Sequence, residues 1–144
     1  MSEFDKQLKA FTVLHRATTA VHEATKKDIQ QSDLNLTEFA VMELLYHKGD
    51  QPIQVIGKKV LIASSSITYV VDKLEKKNLI KRVACPTDRR VTFVSLTDEG
   101  SAMIESIFPT HEKKIAAIFD VLSEEELLAL TDYLKRVGHH ANTL

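Results

Sequence analysis

Residues 61–96, LIASSSITYVVDKLEKKNLIKRVACPTDRRVTFVSL, constrain the fold more than any other part of this sequence. Ser64, Ser65 and Ser66 offer hydroxyl oxygens to the free N–H groups of a helix start. Ile67, Val70, Val71 and Leu74 then recur at i, i+3, i+4 and i+7. That spacing puts them on one buried stripe and turns Ser65, Thr68, Tyr69, Asp72, Lys73 and Lys76 outward. Asn78 supplies a helix stop. Residues 80–85 and 91–96 are rich in β-branched and aromatic side chains and bracket the turn residues Pro86, Thr87 and Asp88. The stretch therefore predicts a helix followed by a two-stranded hairpin with a charged tip.

Charge singles out the same stretch. The whole chain carries 19 Lys+Arg against 20 Asp+Glu, a net of −1 that says nothing about an anionic partner. Residues 58–90 alone hold 9 basic and 3 acidic groups, a net of +6, between flanks of −2 (residues 1–57) and −5 (residues 91–144). A basic block inside an otherwise acidic chain is the electrostatic footprint of a surface for a polyanion.

On either side of this block the pattern is helical. Leu8, Phe11, Leu14, Ala17, Val21 and Ile29 predict one long amphipathic helix from about Asp5 to Ile29. After a break at residues 31–35, Thr37 is the expected cap of a second helix, with Leu36 stapled onto Val41; it ends at Gly49. Pro52 is expected at the first position of a short helix bearing Ile53, Ile56 and Val60. The turn Leu61, Ile62, Ala63 joins that helix to the serine-capped one, so the two make a helix-turn-helix and the hairpin makes it winged. Thr97 opens a further helix through Met103, Ile104, Ile107 and Phe108 towards Leu122, with a kink or break expected at Pro109. Ser123 and Glu126 form a capping box for a last helix carrying Leu127, Leu128, Leu130, Leu134 and Val137. The apolar stripes of the two terminal helices lack cover within the chain, which predicts a homodimer.

These residues resemble a known family. Leu36-Thr37-Glu38-Phe39, the run from Val71 to Ile80, and Asp88-Arg89-Arg90 followed by Val94-Ser95-Leu96-Thr97 are similar to the MarR family of winged-helix repressors, over essentially the whole chain. Glu38-Phe39-Ala40-Val41 and residues 66–73 resemble its quinone- and hydroquinone-responsive branch. Asn78 stands where many members have glycine, and asparagine also tolerates the left-handed conformation. The resemblance implies a mainly α fold, a single MarR-type domain over residues 1–144. Within it, 36–97 would form the winged helix-turn-helix, and 1–31 and 98–144 the dimerisation helices. It also implies a recognition helix in the major groove of double-stranded DNA, a wing-tip arginine in the minor groove, and a small aromatic effector between lobe and dimer helices. Two-fold symmetry then predicts a pseudo-palindromic operator.

The candidate DNA-binding residues are Ser64, Ser65, Ser66, Thr68, Tyr69, Lys73, Lys81, Arg82, Asp88, Arg89 and Arg90. On an isolated helix Ser65, Thr68, Tyr69 and Lys73 would be an ordinary solvated face; behind a helix-turn-helix and before a basic wing they are expected to face DNA. Asp88 is expected to hold the guanidinium of Arg90 outward for a narrow minor groove, whereas an exposed ion pair would be the ordinary reading. Arg89, Lys81 and Arg82 are expected on phosphates, which set register without carrying sequence information. The candidate effector-binding residues are Phe11, His15, Arg16, Phe39, Met42, Phe108 and His111, aromatic walls with a few polar groups suited to a phenol or quinone.

Other chemistry is not supported by the pattern. The six histidines lack metal-ligand spacing, and no cofactor is expected. Cys85 is the only cysteine, which excludes an intrachain disulfide. At the wing base it reads as a small strand residue before a redox sensor, with Lys81 and Arg82 near enough to depress its pKa. With 4 glycines, no Gly-rich phosphate loop and no catalytic triad or carboxylate pair at identifiable spacing, an enzyme is not expected. No apolar run approaches the ~20 residues that span a bilayer, so a cytoplasmic location and no membrane partner are expected. The reading is a DNA-binding regulator; the alternative is a winged-helix adaptor that binds protein and tolerates loss of Lys73, Arg89 and Arg90.

Overall fold

The long amphipathic helix expected at the start is present as α1 (Asp5–Gln30), followed by α2 (Leu36–Lys48), β1 (Gln51–Pro52), α3 (Ile53–Lys59), α4 (Ser64–Lys76), β2 (Ile80–Ala84), β3 (Thr92–Leu96), α5 (Asp98–Phe119) and α6 (Glu124–Ala141). This computed structural model describes residues 2–60 and 64–144, with the backbone but not the side chains of Ser64 and Ser65. The turn expected at Leu61, Ile62 and Ala63 and the capping hydroxyls expected of Ser64 and Ser65 lie outside the described residues. The fold is mainly helical, as expected. The chain falls into two compact units, one up to His111 and one from Glu112 to Leu144.

The first unit is built around a winged helix. Ile67, Val70, Val71 and Leu74 of α4 are all buried, as their spacing required. They share one core with Phe39, Val41, Met42 and Leu45 of α2, Ile56 of α3, Ile80 of β2 and Val94 of β3. Ile29 and Leu34, at the end of α1 and in the α1–α2 corner, and Ile104 of α5 complete it. Removing such a side chain from water contributes about 1.5–3 kcal/mol each.

Several local expectations are corrected. The cap of α2 is Asn35, not Thr37: Asn35 Oδ1 accepts from the Glu38 amide at 2.8 Å and Glu38 Oε1 accepts from the Asn35 amide at 3.1 Å. The helix therefore starts earlier, and the apolar pair flanking the cap becomes Leu34 and Phe39, both buried, in place of Leu36 and Val41. Pro52 is the cap residue of α3 with extended backbone, ψ 144°, not its first helical residue. With Gln51 it adds a third strand, giving an antiparallel sheet in the order β1-β3-β2 where a two-stranded hairpin was expected. Proline has no N–H for a ladder, so β1 sits at the edge. Finally, of the kink or break expected at Pro109 the break is absent, since α5 runs from Asp98 to Phe119 through it. Glu105, whose carbonyl loses its donor there, is exposed, so water can replace the missing bond.

Two residues outside glycine take the left-handed region, Asp33 and Asn78, each at φ 63°. Asn78 stops α4 as expected. Its carbonyl accepts from Thr97 Oγ1 at 2.8 Å, the same hydroxyl oxygen accepts from the Gly100 amide at 2.9 Å, and the Thr97 amide donates to the Leu79 carbonyl at 3.1 Å. This knot ties the end of α4 to the start of α5. Gly100 is buried in it, and a Cβ at that position would strike the Leu79 carbonyl oxygen.

In the second unit, α6 starts at the expected capping box. The Glu126 amide donates to Ser123 Oγ at 3.2 Å and the Ser123 amide donates to Glu126 Oε1 at 2.9 Å. The same amide and hydroxyl hold the Glu126 carboxyl below its ordinary range. No residue of α6 is buried, and Leu128, Tyr133, Leu134 and Val137 are exposed.

A glycine replaced by alanine inside a helix normally stabilises it, by about 1 kcal/mol. Gly100→Ala is expected to reverse that sign and cost about 1–3 kcal/mol by overpacking against the backbone. A thermal unfolding midpoint equal to or above wild type would contradict this contact.

Candidate nucleic-acid interface

Two elements present polar and basic groups to solvent. On α4, burial of the apolar stripe leaves Ser66, Thr68 and Tyr69 exposed, with Tyr69 at 65% of its full area. Lys73 Nζ lies 5.7 Å from the centroid of the Tyr69 ring, a cation–π pair that keeps the ring upright and the ammonium on the outer face. Lys76 is exposed one turn further on.

At the wing tip, Asp88 and Arg90 are arranged as expected. The Arg90 amide donates to Asp88 Oδ1 at 3.0 Å, its Nε to the same oxygen at 3.2 Å, and its Nη2 to Oδ2 at 3.4 Å. The carboxylate thus fixes both backbone and side chain while the Arg90 side chain remains 90% exposed. The Arg90 amide, then its guanidinium, lowers the Asp88 pKa from its ordinary value. A lowered carboxyl pKa stabilises the tip above the ordinary value, and this contribution is lost as pH falls through the lowered one. Arg89 is exposed beside it, as is Lys81 on β2.

Arg82 differs from its neighbour. Its Nη1 donates to Glu75 Oε1 and its Nη2 to Asp72 Oδ1, both at 2.5 Å, and the side chain is 28% exposed. The bond to Asp72 raises the Arg82 pKa most, partly offset by burial, and the Glu75 charge raises it further. The guanidinium expected on a phosphate is committed to the wing–helix joint. Successive strand side chains point to opposite faces, so adjacent Lys81 and Arg82 have different fates. Cys85 lies at the wing base with Sγ 3.4 Å from Thr87 Oγ1. Its pKa is lowered by that contact first, not by Lys81 or Arg82 as expected.

The structure brings together only part of the expected effector set. Phe39 and His111 rings are 4.6 Å apart and Phe108 and His111 are 6.2 Å apart, with Met42 fully buried below. His111 Nε2 is 3.8 Å from Glu43 Oε2, a neighbour the sequence did not indicate, and His111 Nδ1 is buried without a hydrogen-bond partner among the described residues. Next to it a cleft of about 190 Å³ runs from His111, Thr110 and Ile107 to Asp28, Ile29, Gln31 and Ser32. Phe11, His15 and Arg16 do not join this group: all three are exposed on α1, Phe11 at 71%. The helical stripe was read correctly there, but among the described residues nothing covers that part of it.

Glu38 and Lys77 were missed as partners. Glu38 is buried and its Oε2 accepts from Lys77 Nζ at 3.0 Å, while the same ammonium donates to the Asp33 carbonyl at 2.7 Å. The Asn35-x-x-Glu38 spacing is a legible capping signal, but nothing in sequence links it to a lysine 39 residues on.

The sequence model of the MarR family matches residues 34–92, from the α1–α2 corner to the end of the wing turn. Over 137 residues the chain is 56% identical to the HTH-type transcriptional regulator MhqR of Bacillus subtilis strain 168, covering 95% of this chain and 94% of MhqR. Among solved structures it superposes on AbsC, a MarR family transcriptional regulator from Streptomyces coelicolor, with a TM-score of 0.89 over 100% of this chain and 98% of AbsC, at 20% identity. It also superposes on Bordetella bronchiseptica BpsR, solved for the regulation of its DNA binding by 6-hydroxynicotinic acid, with a TM-score of 0.80 over 90% of this chain and 98% of BpsR, at 25% identity. Identity this high across nearly the whole of MhqR, with the family match on the winged helix itself, means that the chain belongs to the MarR family.

Proposed function

We propose that this protein is a sequence-specific DNA-binding transcriptional repressor, acting as a homodimer in the cytoplasm and released from its operator by a small hydroxylated aromatic compound. It acts by binding, not by catalysis. The observation that carries the reading is the Asp88–Arg90 tip beside the exposed face of α4. An exposed guanidinium held by the Asp88 carboxylate suits a narrow minor groove, while Ser66, Thr68, Tyr69 and Lys73 suit base edges and phosphates in the adjoining major groove. Residues 36–97 are the reader in this proposal, and 1–31 and 98–144 supply the dimer helices. Among the described residues no helix is long and apolar enough to cross a membrane.

The test separates base readout from charge. Arg90→Ala is expected to weaken operator binding with little change on random DNA, whereas Lys81→Ala weakens both and lowers the salt slope by about 0.9. Equal losses on both DNAs for both variants would remove the distinction.

The dimer is supported by apolar side chains that each unit leaves in water. Phe4, Leu8, Phe11, Val13 and Leu14 are exposed on or next to α1, and Leu128, Leu134 and Val137 on α6. Sedimentation at micromolar concentration should give a two-subunit mass; a stable folded monomer would contradict it. Two-fold symmetry places the half-sites about 34–36 Å apart.

For the effector, the support is the Phe39–Phe108–His111 cluster and the adjoining cleft, together with the hydroxylated aromatic that regulates BpsR. A cavity of about 150 Å³ already accommodates benzene, so the cleft suits a single ring. His111, which lines the cleft, is the polar group proposed to meet the ring's hydroxyl. Titrating hydroquinone and salicylate against the DNA complex should release wild type below millimolar concentration and His111→Ala much less, with His15→Ala reporting whether α1 takes part. An unaltered response of His111→Ala removes it from the site.

A further inference from the structure

Lys77 belongs by sequence to the basic block that marks the DNA surface, yet its ammonium points elsewhere. It reaches back across the fold to the Glu38 carboxylate at 3.0 Å and to the Asp33 carbonyl at 2.7 Å. Glu38 is only 3% exposed and uses its other oxygen to cap α2, so the acceptor is fixed. Asp33 sits in the α1–α2 corner in the left-handed region at φ 63°, and the Lys77 bond holds its carbonyl in that orientation. Lys77 itself closes the last turn of α4, its amide donating to the Lys73 carbonyl at 3.1 Å.

Resting on the DNA-binding reading above, we infer that Lys77 is a positioning residue: it latches the C-terminal end of the recognition helix to the cap of α2 and the α1–α2 corner, and so sets the angle at which α4 meets bases. The lever is long. A 13-residue helix spans about 20 Å, so a tilt of about 5° at Lys77 moves its other end by about 1.7 Å. Hydrogen bonds to base edges tolerate only about 0.5 Å. Core packing of Ile67, Val70, Val71 and Leu74 fixes rotation of the helix about its own axis; the latch fixes its tilt. Arg82, which joins the same helix to β2, leaves the α2 side to Lys77 alone among the described ion pairs.

A latch and a phosphate contact give different signatures. Lys77→Met removes the ammonium, Glu38→Gln removes the charge but keeps an oxygen for the cap, and the double variant restores neutrality so that folding is retained. Each protein is titrated with operator and random DNA over a range of salt, after its thermal midpoint confirms that it is folded at the assay temperature. The expected result is a fall of about tenfold in the operator-to-random ratio, similar to misplacing one base-pair contact, with an unchanged salt slope on random DNA. The two single changes should be non-additive in the double variant. A salt slope lower by about 0.9 with the ratio intact would make Lys77 a phosphate contact and overturn the inference. An unchanged ratio and slope in a folded Lys77→Met protein would overturn it too, leaving Lys77 a purely structural pair. Wild type that fails to prefer any DNA sequence would instead remove the DNA-binding reading itself.

Discussion

The outward face of α4 exists because its opposite face is wholly removed from water. Val71 and Leu74 have no exposed area, Ile67 and Val70 almost none, and Met42, Ile56, Ile80 and Val94 close over them. At about 1.5–3 kcal/mol for each side chain, four such residues rival the about 5–15 kcal/mol of net stability a whole domain retains. The stripe therefore locks rotation of the helix about its axis. A slip of one residue would turn it by about 100°, burying polar groups now in solvent. Which side chains are available to a partner is thus decided by hydrophobic burial before any charge is considered.

Charge then divides by geometry. The basic block reads as a single +6 patch along the sequence, but its cations do two kinds of work. Lys76, Lys81, Arg89 and Arg90 stand in solvent, where they can replace counterions on a polyanion. Arg82 and Lys77 are turned inward to Asp72, Glu75 and Glu38 and hold α4 to the wing and to α2. Asp88 is the converse case, an acid inside the basic tip whose pKa is lowered by the same Arg90 bonds that hold the guanidinium in place.

What was legible in the sequence follows from the range of the forces involved. Helical stripes, the Asn78 stop, the Ser123–Glu126 cap and the Asp88–Arg90 pair are set by neighbours within a few residues, and all appear as read. The cap of α2 was misplaced because Asn35 and Thr37 are both competent and only the reach of Glu38 decides between them. The edge strand at Gln51 and Pro52 was invisible because two residues carry no periodicity and a proline argues against a ladder. Contacts such as Lys77 to Glu38, or Glu43 to His111, depend on how distant elements meet, and no local pattern encodes that. In a single chain, Phe11, His15 and Arg16 do not meet Phe39, Phe108 and His111 for the same reason: they share a helix with Ile29 but lie far along it from the cleft at its C-terminal end.

In the proposed function, regulation acts at that cleft. A ligand shifts a two-state protein only by its difference in affinity for the two states, and moving the balance from 1:99 to 99:1 takes about 5.5 kcal/mol. The cleft is lined by Gln31 and Ser32, and the next residue, Asp33, carries the anchor for Lys77. A hydrogen bond to a charged group contributes about 1.5–3 kcal/mol, so one latch falls short of the required shift. Two, one in each half of the proposed homodimer, amount to about 3–6 kcal/mol, a range that reaches the required shift only at its upper end, so the ligand's own differential contacts have to supply the rest.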